Sequence, residues 1–114
     1  MNDNFWQCLD QLVSSSCVTI DRPKGSVHPR FEDIVYSLDY GFLEGTTASD
    51  GAGIDVFVGS LEPVVTGVVM TADLHKRDAE MKVLVGCSSE EMRVVHDFMN
   101  SESFGGALLV RGEN

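Results

Sequence analysis

The apolar residues of this chain come in short runs, and that sets the fold class. Residues 17–21 (CVTID), 40–43 (YGFL), 54–58 (IDVFV), 64–71 (VVTGVVMT), 81–85 (MKVLV) and 108–111 (LLVR) are each four to eight residues long. They are mostly rich in β-branched or aromatic side chains, and turn-forming residues interrupt them. Runs of this kind predict strands. Helical spacing occurs in two places. In residues 4–13, Phe5, Trp6, Leu9, Leu12 and Val13 share a face that Asn2 or Asp3 could cap, and residues 14–16 end the segment. In residues 88–100, Ser88 and Glu91 form a capping box ahead of an apolar face of Met92, Val95, Phe98 and Met99. Residues 22–25 (RPKG) break the first strand, 28–36 read as mixed and partly extended, and 45–53 form a loop. Residues 72–80 read as a polar connector, and Gly105-Gly106 as the end of the second helical unit. The expectation is an α+β, mostly β fold: one domain over residues 1–114, with a helix near each end. A small barrel, closed or partly open, would hide the strand edges.

A chain of 114 residues can bury a core without disulfides or a structural metal. The formal net charge of −10 argues against nucleic acid or an anionic membrane as partner, and an anionic ligand would need local neutralisation. Cys8, Cys17 and Cys87 are odd in number and lack CxxC spacing, so they read as free thiols in a reducing compartment. The amino-terminal residues lack a basic region and an apolar core of the signal-peptide kind, and no run approaches membrane-spanning length. The expected location is cytoplasmic. His75 and His96 show no metal-ligand spacing, and no phosphate-binding loop or nucleophile elbow is present.

The chemistry-bearing stretch is residues 36–55, YSLDYGFLEGTTASDGAGID. Asp50 and Asp55 lie five apart at a junction between a small-residue loop and a strand. Such carboxylates suit a hard cation such as Mg²⁺, which takes one or two protein carboxylates. The same residues also read as an Asx turn at Asp50 and a solvated strand end at Asp55.

In order along the chain come Ile20-Asp21-Arg22-Pro23, then Arg30-Phe31-Glu32 nine residues after Asp21, then Tyr36 and Tyr40 ahead of Gly41-Phe42. Asp50-Gly51-Ala52-Gly53-Ile54-Asp55 follows, and Met70-Thr71-Ala72-Asp73 leads through Asp78 and Glu80 to Lys82. This succession, about three-fifths of the chain, resembles the soluble family I inorganic pyrophosphatases, and the resemblance implies that the barrel is OB-like. The resemblance implies Mg²⁺-dependent hydrolysis of inorganic pyrophosphate to phosphate, with Mn²⁺ as an alternative ion. It implies Asp50, Asp55 and Asp73 as metal ligands and Arg30, Tyr36, Tyr40 and Lys82 as contacts to a small anionic phosphate substrate. Asp21, Glu32 and Asp78 would act through outer-shell water, and Asp78 or Glu80 could take the acidic place before Lys82. Lys24 and His28 lie nearby without an implied role. The resemblance leaves a homo-oligomer open.

The departures bear on catalysis. Where the family carries the aspartate that activates water, this chain has Ala52, whose methyl group cannot accept a proton, so the general base is unassigned. Asp39 and Asp78 are the replacements that the sequence offers. Gly53 replaces the usual proline. Asp33-Ile34-Val35 fills the gap where the family has a hairpin with an arginine. Residues 88–100 offer no counterpart of the family's later Tyr-Lys pair. General-base loss alone typically costs ~10²–10⁴-fold in rate. A weakly catalytic or inactive module binding metal and a phosphorylated ligand is therefore one alternative, and a phosphohydrolase for another phosphate compound is the other.

Overall fold

The computed structural model describes residues 3–112. Its elements run α1 (Asp3–Ser14), β1 (Val18–Arg22), β2 (Asp39–Leu43), β3 (Ile54–Val58), β4 (Val65–Asp73), β5 (Asp78–Val85), α2 (Ser89–Phe98) and β6 (Phe104–Val110). Asp3 opens α1, and Asn2 lies outside the described residues. The six strands form one mixed sheet in the order β1-β2-β3-β5-β4-β6, with β3 and β5 parallel and the other pairs antiparallel. This is the expected mostly β, OB-like architecture, in which β1 and β6 remain edges. No described helix is long and apolar enough to cross a membrane.

Side-chain alternation divides the core between the two faces of the sheet. Val56, Val68, Val83 and Val85 pack with Trp6, Leu9 and Val13 of α1. Phe57, Val69 and Leu84, one residue out of phase, pack with Met92 and Val95 of α2. The central strand β5 is thus covered on both faces, and a polar side chain on it must find its partners inside the protein.

The capping box at the start of α2 is present. Ser88 Oγ accepts from the Glu91 N–H, and Glu91 Oε1 accepts from the Ser88 N–H at 2.9 Å. Glu91 also accepts from the Ser60 N–H at 3.1 Å, which ties the helix start to the end of β3. Between β1 and β2 the chain makes a hairpin-like excursion. Val27 bridges Val35, the Gly25 N–H donates to Tyr36 O at 2.8 Å, and the Tyr36 N–H donates to Ser26 O at 2.9 Å.

Two expectations need correction. Residues 72–80 are not a connector: β4 runs on to Asp73, β5 starts at Asp78, and Thr71↔Glu80, Ala72↔Ala79 and Asp73↔Asp78 pair across the hairpin. Their polarity reflects a ribbon extending beyond the core rather than the end of the strands. Gly105-Gly106 lies inside β6 rather than terminating the helical unit. A Cβ on Gly106 would come within 3.0 Å of Met99, so glycine lets this edge strand close on the end of α2. Asn100 then occupies the free edge, accepting from the Gly106 N–H at 3.1 Å and donating to Gly106 O at 3.3 Å.

Gly41 should be the least replaceable glycine. A Cβ there would lie 1.8 Å from the backbone oxygen of Thr19, whereas one on Gly105 would meet nothing within 4 Å. Gly41→Ala should cost more than the ~1–3 kcal/mol of ordinary overpacking, and Gly105→Ala should stay within about 1 kcal/mol of the parent; urea unfolding of both proteins checks this. Glu91 supplies a pH signature. The Ser88 N–H is the main cause of its lowered carboxyl pKa. Its stabilisation is complete above the ordinary glutamate value of about 4.3 and is lost as pH falls through the lower folded value. Glu91→Gln should therefore lower the melting temperature at pH 7, and the gap from the parent should shrink in acid.

Candidate active site

Lys82 lies at the centre of the site. It points from β5 to the α2 face and is only 5% exposed. Its Nζ donates to Asp55 Oδ2 at 3.0 Å and to Tyr40 Oη at 2.9 Å, and lies 3.6 Å from Glu80 Oε2. The sheet register explains the grouping. Tyr40 is opposite Phe57 and Phe42 opposite Asp55, while Val56 pairs with Val83. Tyr40, Asp55, Glu80 and Lys82 therefore share one face of three adjacent strands.

The electrostatics follow from burial. For Lys82, burial is the largest influence and by itself lowers the pKa; Tyr40 and Asp55 outweigh it, and the net shift is upward. The ammonium stays charged at neutral pH. Burial raises the Tyr40 phenol well above its ordinary value, with Lys82 opposing, so Tyr40 keeps its proton and can donate. Asp50 Oδ1 accepts from the Ala52 N–H at 3.0 Å, the Asx turn that its sequence allowed. The backbone N–H of Ala52 is the first cause of a lowered Asp50 pKa, and burial the first cause of a raised Glu80 pKa; each carboxyl also moves the other in the same direction.

Arg22 is the site residue that sequence reasoning missed. Its Nη1 donates to Tyr36 Oη, and its guanidinium carbon lies 5.4 Å from the Tyr36 ring centroid and 5.9 Å from that of Tyr40. Tyr36 and Tyr40 stack at 5.4 Å. A bulge between Ile20 and Arg22 places Arg22 opposite Tyr40, while Ile20 is opposite Gly41. Without that bulge Arg22 would point to the other face. The sequence marked Arg22-Pro23 as a strand end and as part of the first motif of the resemblance, with no role for the arginine.

The other expected residues divide. Arg30 is exposed on the excursion; its backbone N–H donates to His28 Nδ1 at 3.0 Å. Burial, then Arg22 and Arg30, lower the His28 pKa. Glu32 is exposed on the same excursion, and Asp21 is exposed with its charge felt by Arg22. Asp73 is drawn into the β4–β5 turn, where Oδ1 accepts from the His75 N–H at 2.9 Å and the Lys76 N–H at 3.2 Å. Asp78 lies 3.7 Å from Lys76, and Glu80 rather than Asp78 is the acid beside Lys82. Asp39 accepts from the Lys24 N–H at 2.8 Å. Ala52 is exposed on its loop. Among the described residues no group of three or more Asp, Glu, His or Cys side chains gathers as a metal site, so Asp50, Asp55 and Asp73 do not form one cluster.

Lys82 and Asp55 should show energetic coupling. Breaking a buried ion pair costs about 3–5 kcal/mol, and the partial exposure of Asp55 reduces this to about 1–3 kcal/mol for Lys82→Met. Adding Asp55→Leu should restore part of that loss, because no unpaired charge then remains. Urea unfolding of the single and double variants tests this, and strictly additive losses would mean the two residues do not act as a pair.

The family described as inorganic pyrophosphatase matches residues 18–74. No curated protein sequence matches. Among solved structures, the chain resembles an inorganic phosphatase from Anaplasma phagocytophilum at 17% identity and TM-score 0.57, covering 82% of this chain and 81% of that one. It resembles an inorganic pyrophosphatase from Coxiella burnetii at 16% identity and TM-score 0.54, with coverage of 82% and 81%. A third, the inorganic pyrophosphatase of Helicobacter pylori, matches at 15% identity and TM-score 0.51, with coverage of 82% and 78%. At these identities the structures establish a common fold. The sequence match over half the chain, on the segment that carries Arg22, Tyr36, Tyr40, Asp50 and Asp55, goes further: the chain belongs to the inorganic pyrophosphatase family.

Proposed function

We propose that this protein hydrolyses inorganic pyrophosphate to phosphate with the help of Mg²⁺, Mn²⁺ being the alternative ion. The observation that carries the reading is the placement of cationic and phenolic donors beside carboxylates on one sheet face. Arg22, Tyr36, Tyr40 and Lys82 stand next to Asp55 and Glu80. A ligand that is itself an anion accompanied by a cation needs both kinds of group.

Arg22 spends one N–H on Tyr36, and the rest of its fork suits phosphate oxygens. Lys82 lies between the carboxylates and Tyr40, so an arriving phosphate competes with Asp55 for its ammonium. Tyr40, kept protonated by burial, can donate to the same anion. Asp50, Asp55 and Glu80 do not gather as a three-carboxylate site, but one or two of them would suit a hard cation, which takes few protein carboxylates and completes its shell with phosphate and water. Such a cation supplies charge neutralisation and a more acidic water. Asp73, engaged in its turn, is not needed for a set of this size.

One observation favours a second reading. Ala52 presents only a methyl group on its exposed loop, which supports a protein that binds pyrophosphate and turns it over slowly or not at all.

Purified protein should release phosphate from pyrophosphate with Mg²⁺ present and not after chelation. Arg22→Ala and Lys82→Ala should each weaken pyrophosphate binding about tenfold or more, because a hydrogen bond to a charged group is worth ~1.5–3 kcal/mol. Ala52→Asp should raise the turnover. Calorimetric binding without phosphate release selects the second reading, and absence of both binding and release rejects the site.

A further inference from the structure

The phosphate-contacting groups are the inner end of an aromatic ladder that climbs to the surface. Tyr40 stacks on Tyr36 at 5.4 Å and Tyr36 on His28 at 6.3 Å with the planes only 11° apart, and His28 meets Phe31 at 5.1 Å with the rings tilted by 42°. From Tyr36 outward exposure rises: Tyr36 is 5% exposed, His28 is intermediate and Phe31 is 57% exposed. Val27 and Val35 are also exposed, at 52% and 50%, and bridge each other beneath the ladder's outer end. The basic residues follow the same path. Arg22, Lys24 and Arg30 are three of the chain's eight Lys and Arg residues, all within nine positions, in a protein of net charge −10. Inorganic pyrophosphate would use the inner, polar end alone. It offers nothing to an open aromatic ring with aliphatic neighbours.

We propose that this site takes a nucleoside diphosphate, with the diphosphate at Arg22, Tyr40 and Lys82 and the base lying on the Phe31–His28 shelf. The proposal rests on the phosphate-site reading given above and narrows its substrate class. A planar base matches a planar ring face whatever its sequence identity, and Arg30 beside the shelf adds a cation for either the base or the phosphates. In hydrolysis, the water oxygen would bond to one phosphorus and the bridging P–O bond would break. The products are a nucleoside monophosphate, inorganic phosphate and one proton.

The test compares ADP with pyrophosphate in the presence of Mg²⁺, by calorimetry, on the full chain and on Phe31→Ala. Circular dichroism confirms folding, since Phe31 is largely outside the core. ADP should bind at least as tightly as pyrophosphate. Phe31→Ala should weaken ADP about fivefold to a hundredfold, the range that stacking of one base supplies, and leave pyrophosphate within twofold. Pyrophosphate binding with ADP weaker and indifferent to Phe31→Ala overturns this proposal alone. Binding of neither overturns the phosphate site itself, and this proposal with it. A change of oligomeric state in Phe31→Ala without a change in ADP affinity assigns the shelf to a second copy of the chain and also overturns it.

Discussion

A charged ammonium inside a protein has to be neutralised where it stands, and Lys82 imposes that requirement on the strand with the least freedom to move. Valines on β5 pack under α1, and Leu84 packs under α2, so Lys82 cannot turn toward water without disturbing one of the two cores. Asp55 from β3 and Tyr40 from β2 are therefore fixed partners, each delivered by strand register rather than by a loop. The inner end of the site inherits the rigidity of the sheet. Its outer groups, on residues 23–38 and 45–53, hang from that frame by turns and single bridges.

Much of the fold was legible because local signals agreed with the tertiary result. The α2 capping box, the apolar faces of both helices and the short strands all follow from spacing. The extended β4–β5 hairpin was not legible. Its outer residues face solvent on both sides, so they lose the apolar alternation by which strands are recognised, and only cross-strand hydrogen bonding holds them extended. Gly105 and Gly106 misled for the opposite reason: a pair that usually stops an element is used here for close approach to Met99. At the site, Tyr40, Asp55 and Lys82 were named through the resemblance, and regular strands bring the three together. Arg22 was not, because a bulge reverses which face a side chain takes, and nothing in five residues of sequence announces a bulge.

Net charge is a poor guide to what such a surface binds. The eighteen acidic residues are spread along the chain, whereas three of the eight basic residues, Arg22, Lys24 and Arg30, fall within nine positions. Charges farther away than the Debye length of about 8–10 Å are largely screened, so an anion at Arg22 would respond to the cations nearby and to local carboxylates such as Asp21 rather than to the total. The overall −10 still repels long polyanions, whose charge extends beyond the basic patch. Small phosphate compounds are the anions that fit within it.

Position 52 separates the fold from the chemistry. Its backbone N–H holds the Asp50 carboxylate and its carbonyl accepts from the Ala48 N–H at 2.7 Å, so the loop is closed by main-chain groups that any residue would supply. The side chain, exposed, makes no demand on that closure. A loop built this way keeps Asp50 in place whether or not an acid follows two residues later. A side chain without a carboxylate is therefore tolerated at position 52 with little cost to folding. What folding does depend on is the buried Lys82, the Asp55 carboxylate that neutralises it and the Tyr40 phenol that accepts its hydrogen bond.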